Sequence, residues 1–568
     1  MVWKILRREK KSFLVTYDII ENVDVCVVGS GAAGAIIAAK LAENGRSVLL
    51  LEKGGYYDAE DMNQREVDMM PLLWKNAGAN FTDNLRIAIA QGQCLGGSTV
   101  INDAVCFKTP ETVREQWRGM GVNISDQQWD KALDEVWREI NVSKVKQEEL
   151  NDNNLMLKKA CETEGYKSSE NDRNCKDCMR CGFCHLGCHY ETKQDMLVTY
   201  IRRALQSSEI KIYCNCNAEK ISYSNGMVNG LEGNFIDATG QARFKIRVNA
   251  KVVIVSAGAI ASSQILLKNK VAEGKAGRGL SLHPAPFLLG KFQQAINAYN
   301  GIPMAYTCHE FGVTNGVEDG GFLIESIFLP ILQFSLGIPS FLKEHAELMQ
   351  DFTHYTMAGV MIRDGPNGTV CLSESGNPKV HYALSPKDIK NMSKGLQVLA
   401  EMWFNIGAQQ VISGHQDVIR LNSKADIPRL VNAVETNPNG LLVASAHPQG
   451  GNRMGEDPTI CVVDSNCKVH GFNNLYVCDA SVFPTSLGVN PQITVMALAT
   501  RTADHINEVW NARFASISMK PALGETCSIN QPMYCSLERL ETMFNQAKNQ
   551  LPIETLINAD DTSPPEER

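Results

Sequence analysis

An α/β fold of two domains follows from three observations on this 568-residue chain. The apolar run at residues 23–28 passes through GSGAAG (29–34) into a helix-like AIIAAKLAEN and then SVLLL (47–51), which is the order strand, turn, helix, strand. KVVIVSAGAIASSQILL (251–267) repeats a strand that enters a small-residue turn and helix. Between about 285 and 440, β-rich segments surround one clear helix, so a second domain of β-sheet plus helices is expected. The chain is too long for one ordinary core. Its 44% apolar and 21% charged residues are ordinary globular values.

The first unit is Rossmann-like because its glycines stand where a dinucleotide fold requires them. Gly29 makes the tight turn, Gly31 lets the backbone approach a pyrophosphate, and Gly34 allows close helix–strand packing, with Ala32 and Ala33 completing the turn. The helix N-terminus then presents free N–H groups to phosphate. Glu52, eighteen residues beyond Gly34, is placed to accept hydrogen bonds from a ribose diol. SDQQWDKALDEVWREI opens with Ser125 and Gln128 in capping-box spacing and puts Trp129, Leu133, Val136 and Ile140 on one packing face. Short β-like runs occupy 211–256. SPKDIKNMSKGLQVLAEMWFNIGA has Ser385 as N-cap, Pro386 at the first helical position and Gly407 near its end.

GFLIESIFLPILQFSLGIPSFL (321–342) approaches membrane-spanning length, but Glu325, Pro330, Gly337 and Pro339 make it a buried strand followed by irregular packing. Five regions result: a basic leader (1–20), a nucleotide-binding domain (21–290) with a Cys-rich insert (171–190), a second domain (291–440), a return to the first (441–514) and a polar tail (515–568).

A formal charge of −8 and a pI near 5.9 leave no electrostatic footprint for nucleic acid. The leader MVWKILRREKKSF lacks the apolar core of a secretory signal, so the eighteen cysteines place the chain in a reducing cytoplasm. The leader reads as solvated, with peripheral membrane contact as the lesser alternative. Cys178, Cys181, Cys184 and Cys188 have the C-x-x-C-x-x-C-x-x-x-C spacing of iron–sulfur ligation, with Cys175 one step upstream. His189 stands where ferredoxins carry Pro, and zinc or a structural thiol cluster is the alternative.

Two further segments point back to the nucleotide site: the Gly-rich GQCLGGSTVIND (92–103) and the strand end NLYVCDASVFP (474–484). The four blocks VDVCVVGSGAAG, GQCLGGSTVIND, VVIVSAGAIASSQILL and SAHPQGGNRMG…LGVNPQITV, in this order, resemble the glucose–methanol–choline oxidoreductases, nearest their gluconate-dehydrogenase and long-chain-alcohol-oxidase types. The resemblance implies FAD, with Gly29, Gly31, Ala32, Ala33, Gly34 and Glu52 on its ADP half. Gly96, Gly97, Ser98, Asn102, Asn490 and Pro491 would lie nearer the flavin, and Asp479 and Ala480 at the linker.

It implies His447 and Asn490 as the catalytic pair, His447 taking the hydroxyl proton of an alcohol while hydride moves to flavin N5, and Asn490 orienting the substrate. Local sequence alone would make Asn490 a helix cap and His447 a buried turn residue. His283 reads as structural or flavin-adjacent. The apolar Phe322, Ile324, Ile327, Phe328, Leu332 and Phe334 fill a core by default, or line a pocket for an apolar alcohol. The expected function is an FAD-dependent alcohol or polyol dehydrogenase passing electrons to an acceptor protein or quinone. An oxygen-reducing oxidase, a non-redox lyase on the same scaffold and an electron-transfer subunit are the alternatives.

Overall fold

The computed structural model describes residues 5–6, 17–313, 320–338, 340–417 and 419–518, so most of the leader and the tail from 519 lie outside the described residues. Along the chain the elements that position the site are β1 (Ile19–Val28), α1 (Gly34–Glu43), β2 (Val48–Leu51), α2 (Asp126–Glu139), β3 (Ile210–Tyr213), β4 (Cys216–Ser224), β5 (Met227–Ile236) and β6 (Ala242–Val255). There follow α3 (Ala259–Lys268), β7 (Phe287–Lys291), β8 (Tyr306–Cys308), β9 (Phe322–Ser326), α4 (Ile331–Gly337) and β10 (Tyr355–Ile362). The last are α5 (Pro386–Asn405), β11 (Gln410–Ser413), β12 (Leu475–Val477) and α6 (Gln492–Arg513).

The unbroken apolar runs Val25–Val28 and Val48–Leu51 are buried, as central parallel strands require. β1 pairs in parallel with β2 on one side and β6 on the other, and β6 also pairs in parallel with β12. β3 continues the sheet beyond β2, and Ile5–Leu6 pair beside β3. β6, β5 and β4 form an antiparallel meander at the other edge. The chain leaves β1 toward β2, while the other neighbour, β6, belongs to a later part of the sequence. That divergence opens a crevice at the C-terminal end of β1, where GSGAAG begins.

The second sheet is antiparallel, in the order β11, β7, β10, β9, β8. Its register sorts the side chains by face. Leu323 opposes Met361 and Glu325 opposes Gly359, while Phe322 opposes Ile362 and Ile324 opposes Val360. Leu323 and Met361 pack into the core of the nucleotide sheet, whereas Phe322, Ile324 and Val360 pack in a separate core with α5. Glu325 therefore lies on the face turned toward the nucleotide domain.

Both expected helix caps form: Ser125 with Gln128 at α2, and Ser385 with Asp388 at α5, where Pro386 is the first helical residue. α5 meets its sheet at Gly395, where an added Cβ would stand 2.2 Å from Val360 Cγ1 and 3.3 Å from the Phe322 ring. Helix propensity would reward Gly395→Ala by up to about 1 kcal/mol. Overpacking of this kind costs roughly 1–3 kcal/mol, so the clash decides the sign. Gly395→Ala is expected to lower the unfolding midpoint in a denaturant titration.

The stretch 321–342 differs from its sequence reading. After β9 the chain forms α4 directly behind Pro330, and a further helix starts at Leu342. Pro330 cannot continue a strand ladder but suits the residue before a helix, and Glu66 accepts from the exposed N–H groups of Leu332 (2.8 Å) and Gln333 (3.0 Å). Ile427–Thr436 is another helix in a region where only one was foreseen. Phe322, Ile324, Phe328 and Phe334 are buried in the second core.

Candidate active site

The GSGAAG turn has the geometry its glycines predict. Gly29 has φ +95°, and a Cβ on it would stand 2.4 Å from the Ser256 carbonyl oxygen; one on Gly34 would stand 1.9 Å from the Gly29 carbonyl oxygen. A Cβ on Gly31 would meet nothing nearer than Gly97 Cα at 4.0 Å. Space is thus left beside Gly31 that the protein itself does not fill. α1 has no side-chain cap and no acidic residue in its first turn, which leaves its N–H groups to an anionic ligand.

Two buried carboxylates brace this turn and the one beside it. Glu52 Oε2 accepts from the Ser30 backbone (3.0 Å) and hydroxyl (2.7 Å), and Oε1 from Gly54 N–H (2.8 Å). Its carboxylate therefore ties the two strand ends together, beyond the sugar contact foreseen. Asp479 accepts from Gly258 N–H (2.9 Å), Ser262 Oγ (2.5 Å) and Ser481 N–H (2.8 Å), which joins the β6–α3 turn to the Ala480–Val482 turn. Burial raises both carboxyls above their usual range.

The Gly-rich loop lies on the turn. Gly96 and Gly97 have φ of +96° and +59°, and a Cβ on Gly97 would be 2.8 Å from Gly31 Cα. Ser98 is exposed beside them, its hydroxyl accepting from Gly92 N–H at 3.0 Å. Asn102 Nδ2 donates to Gln492 Oε1 at 2.9 Å, fixing this loop to the first turn of α6.

His447 and Asn490 are linked through His283 and one short turn, Gly488–Asn490. Gly488 N–H donates to His283 Nε2 at 2.9 Å, and His283 Nδ1 lies 3.2 Å from His447 Nδ1. Gln449 accepts from Leu487 N–H (3.0 Å), coupling the His447 strand to the same turn. His283 has φ +49°, a strained backbone held by Asp364, which accepts from the N–H groups of Leu282 (2.8 Å) and His283 (3.1 Å) and from Ser486 Oγ (2.9 Å). Desolvation keeps both imidazoles neutral, His447 near pKa 4 and His283 well below its usual value.

Asn490 does not cap α6: the cap residue is Pro491, and Asn490 is 7% exposed with its Oδ1 unpartnered. Its amide instead hydrogen-bonds Glu325, which is 5% exposed and has an unpartnered Oε1.

Cys175, Cys178, Cys181, Cys184 and Cys188 line one cavity as free thiols. The buried Arg173 lies 3.4 Å from Cys184 Sγ and donates to the Asp103 carbonyl oxygen at 3.0 Å. A hydrogen bond from Cys175, together with Arg173, holds the Cys178 thiol down to about 5, against its desolvation. Among the described residues no group of three or more His, Cys, Asp or Glu is arranged to hold a metal ion, so the iron–sulfur expectation gains no support from the geometry.

Buried Lys193 binds the carbonyls of Val100 (2.7 Å), Asn102 (2.8 Å) and Cys184 (3.0 Å), clasping the cysteine loop to the Gly-rich loop. Lys193→Met would leave three buried acceptors without a donor, at about 1–3 kcal/mol each. A lower melting temperature and faster thiol labelling of Cys184 are expected together.

Asp364, Glu325, Lys193 and Arg173 escaped the sequence reading. Only the cost of burying a charge inside an apolar run, as at Glu325, signalled any of them.

The turn, the Gly-rich loop laid on it and the uncapped helix behind it are those of a dinucleotide-binding fold. This chain belongs to the GMC oxidoreductase family, whose N-terminal part matches residues 24–285 and C-terminal part residues 364–499. It is 29% identical over 491 residues to a GMC-type oxidoreductase of Mycobacterium tuberculosis, covering 85% of this chain and 76% of the relative. It is 28% identical to a long-chain-alcohol oxidase of Arabidopsis thaliana, covering 84% and 67%. The formate oxidase of Aspergillus oryzae shares the fold, with a TM-score of 0.66 at 17% identity over 87% of this chain and 99% of that one. FAD, the cofactor of this enzyme family, fits the open space at Gly31 and the uncapped N-terminus of α1. No helix among the described residues is long and apolar enough to cross a membrane.

Proposed function

We propose that this protein oxidises the CH–OH group of an alcohol, and that His447 and Asn490 bind the reacting oxygen. The observation that carries this reading is the linkage of His447, by way of His283, to the turn that carries Asn490, whose buried amide oxygen is left unpartnered. FAD, when bound, supplies a hydride acceptor. The long-chain-alcohol oxidases and an oxygen-dependent choline dehydrogenase among its relatives favour a primary alcohol as substrate. The Gly29–Gly34 turn and Glu52 would hold the ADP half of the cofactor. Residues Gly96–Ser98, Asn102 and Pro491 would lie toward the flavin.

The test is anaerobic mixing of FAD-loaded protein with a series of primary alcohols. Loss of flavin absorbance is expected; an unchanged spectrum during substrate conversion would mean the lyase alternative instead. Admitting air then separates the two redox readings, since peroxide formation at the turnover rate marks an oxidase. A second reading, electron export through an iron–sulfur cluster at Cys178, Cys181, Cys184 and Cys188, rests on the sequence spacing of those cysteines alone, since the cavity they line is not arranged as a metal site. Iron and acid-labile sulfide in stoichiometric amount would support it, and their absence after anaerobic purification would remove it.

A further inference from the structure

The five cysteines that line one cavity are not equivalent. Buried Arg173 reaches Cys178 Sγ with Nη1 at 3.9 Å and Cys184 Sγ with Nη2 at 3.4 Å. Cys181 accepts from Gln64 Nε2 at 3.5 Å, and Cys188 from Lys193 N–H at 3.4 Å. Cys178 gathers the Arg173 guanidinium, the Arg180 backbone N–H and the thiol of Cys175, so one of its donors is itself a thiol. Donors around a sulfur stabilise its anion, the form that attacks an oxidant. The group that stabilises Cys178 can therefore also close a bridge with it.

Local backbone brings the two residues together. Cys175 pairs with Lys193 across an isolated bridge, and Lys176 N–H donates to the Thr192 carbonyl at 2.8 Å. Asp177 then takes φ +53°, a left-handed conformation that Asp tolerates better than most residues, and the next residue, Cys178, returns to hydrogen-bond Cys175. Both are half-buried free thiols on the cavity wall, and neighbouring Met179 is 60% exposed, so a small polar oxidant reaches them from solvent.

We propose that Cys175 and Cys178 are a redox-active dithiol that hydrogen peroxide converts to a disulfide, Cys178 being the attacking sulfur and Cys175 the one that closes the bridge. The Cys178 thiolate attacks one peroxide oxygen, the O–O bond breaks, and the departing hydroxide takes a proton from solvent and leaves as water. Cys178 then carries a sulfenic hydroxyl. The Cys175 sulfur displaces it: the S–S bond forms, and the hydroxyl leaves with the Cys175 proton as a second water. Two thiols lose two electrons, and one peroxide molecule gains them. The pair is joined to the cofactor side of the fold. Arg173 donates to the Asp103 carbonyl at 3.0 Å, and Asn174, next to Cys175, accepts from Gln492 Nε2 in the first turn of α6 at 3.2 Å. Closing the bridge withdraws the anionic sulfur that Arg173 faces. The inference goes beyond the alcohol-oxidising reading and does not depend on it, although an oxygen-reducing oxidase would supply the peroxide itself.

The experiment uses full-length, FAD-loaded protein, purified anaerobically, analysed for iron and sulfide, reduced, and treated with one equivalent of hydrogen peroxide before the remaining thiols are alkylated. Trypsin sorts the loop, because cleavage after Arg173, Lys176, Arg180 and Lys193 leaves Cys175 in residues 174–176, Cys178 in 177–180 and the other three in 181–193. The expected product is the 174–176 peptide joined to the 177–180 peptide. Cys178 should react roughly tenfold or more faster than Cys371, a half-buried cysteine outside the loop. In Cys175→Ser, peroxide should leave a sulfenic acid on Cys178 that dimedone traps, and Cys178→Ser should leave Cys175 unoxidised. A bridge from 177–180 to 181–193 as the main product would overturn the proposal, as would Cys178 reacting no faster than Cys371. Stoichiometric iron and sulfide that keep the thiols unreactive would also overturn it, in favour of a cluster. The peptide map of the wild type needs no variant, so it stands even if a substitution unfolds the loop.

Discussion

His447→Ala is expected to fold, retain FAD and reduce it with alcohol roughly 10²–10³-fold more slowly than wild type, the usual cost of removing one donor to a developing alkoxide. The variant empties a half-buried position that contacts the protein through His283 Nδ1 and a 3.4 Å bond from its own backbone to Ser445, so stability should change little. His447→Gln supplies an amide N–H near the same place and should recover part of the loss. Because desolvation already keeps the imidazole near 4, neither variant should move a pH limb near neutrality. Stopped-flow reduction across pH 5–9, with melting curves alongside, reads both outcomes.

The second large effect concerns the cofactor. Gly34→Ala would drive a Cβ to 1.9 Å from the Gly29 carbonyl oxygen, so the turn itself must open, and the protein should lose both FAD and thermal stability. Gly31→Val is the informative partner. A Cβ there has no protein atom closer than 4.0 Å, so the apoprotein should melt close to wild type while flavin content falls at least tenfold. Flavin absorbance relative to protein, and melting temperatures of both apoproteins, separate damage to the turn from obstruction of the ligand. Equal FAD content in Gly31→Val would mean that the pyrophosphate does not pass beside this residue.

The nucleotide half was legible in the sequence because its signals are local. A glycine at φ +95° and a helix packed within reach of a carbonyl oxygen leave little choice of residue, so Gly29 and Gly34 announce the turn. Ser385 and Pro386 announce a helix for the same kind of reason. The active-site chemistry was less legible. His447 and Asn490 emerged from resemblance, but which nitrogen of His447 holds its proton depends on Gly488 N–H and His283, and Gly488 is forty-one positions away in the chain. Glu325 read as a polar interruption of an apolar stretch. Its meaning came from strand register, which turned it toward Asn490 and away from the core under α5. Pro330 misled in the other direction: it read as a breaker, yet β9 has already ended at Ser326, and Pro330 instead opens α4.

The central parallel strands β1, β6 and β12 come from residues 19–28, 242–255 and 475–477, so the sheet that cradles the cofactor is assembled from three widely separated stretches. On a ribosome adding roughly 5–20 residues per second, β12 emerges about 25–90 seconds after β1. Throughout that interval the apolar flank of β6 that β12 will cover has no partner strand, and α6, which buries most of its own length, has yet to exist. The earliest part of the chain to be made is thus among the last to be enclosed. Nascent chains that stop short of residue 477 should be captured by hydrophobic-surface dyes and cleaved rapidly by protease, whereas release of a few dozen further residues should confer resistance all at once.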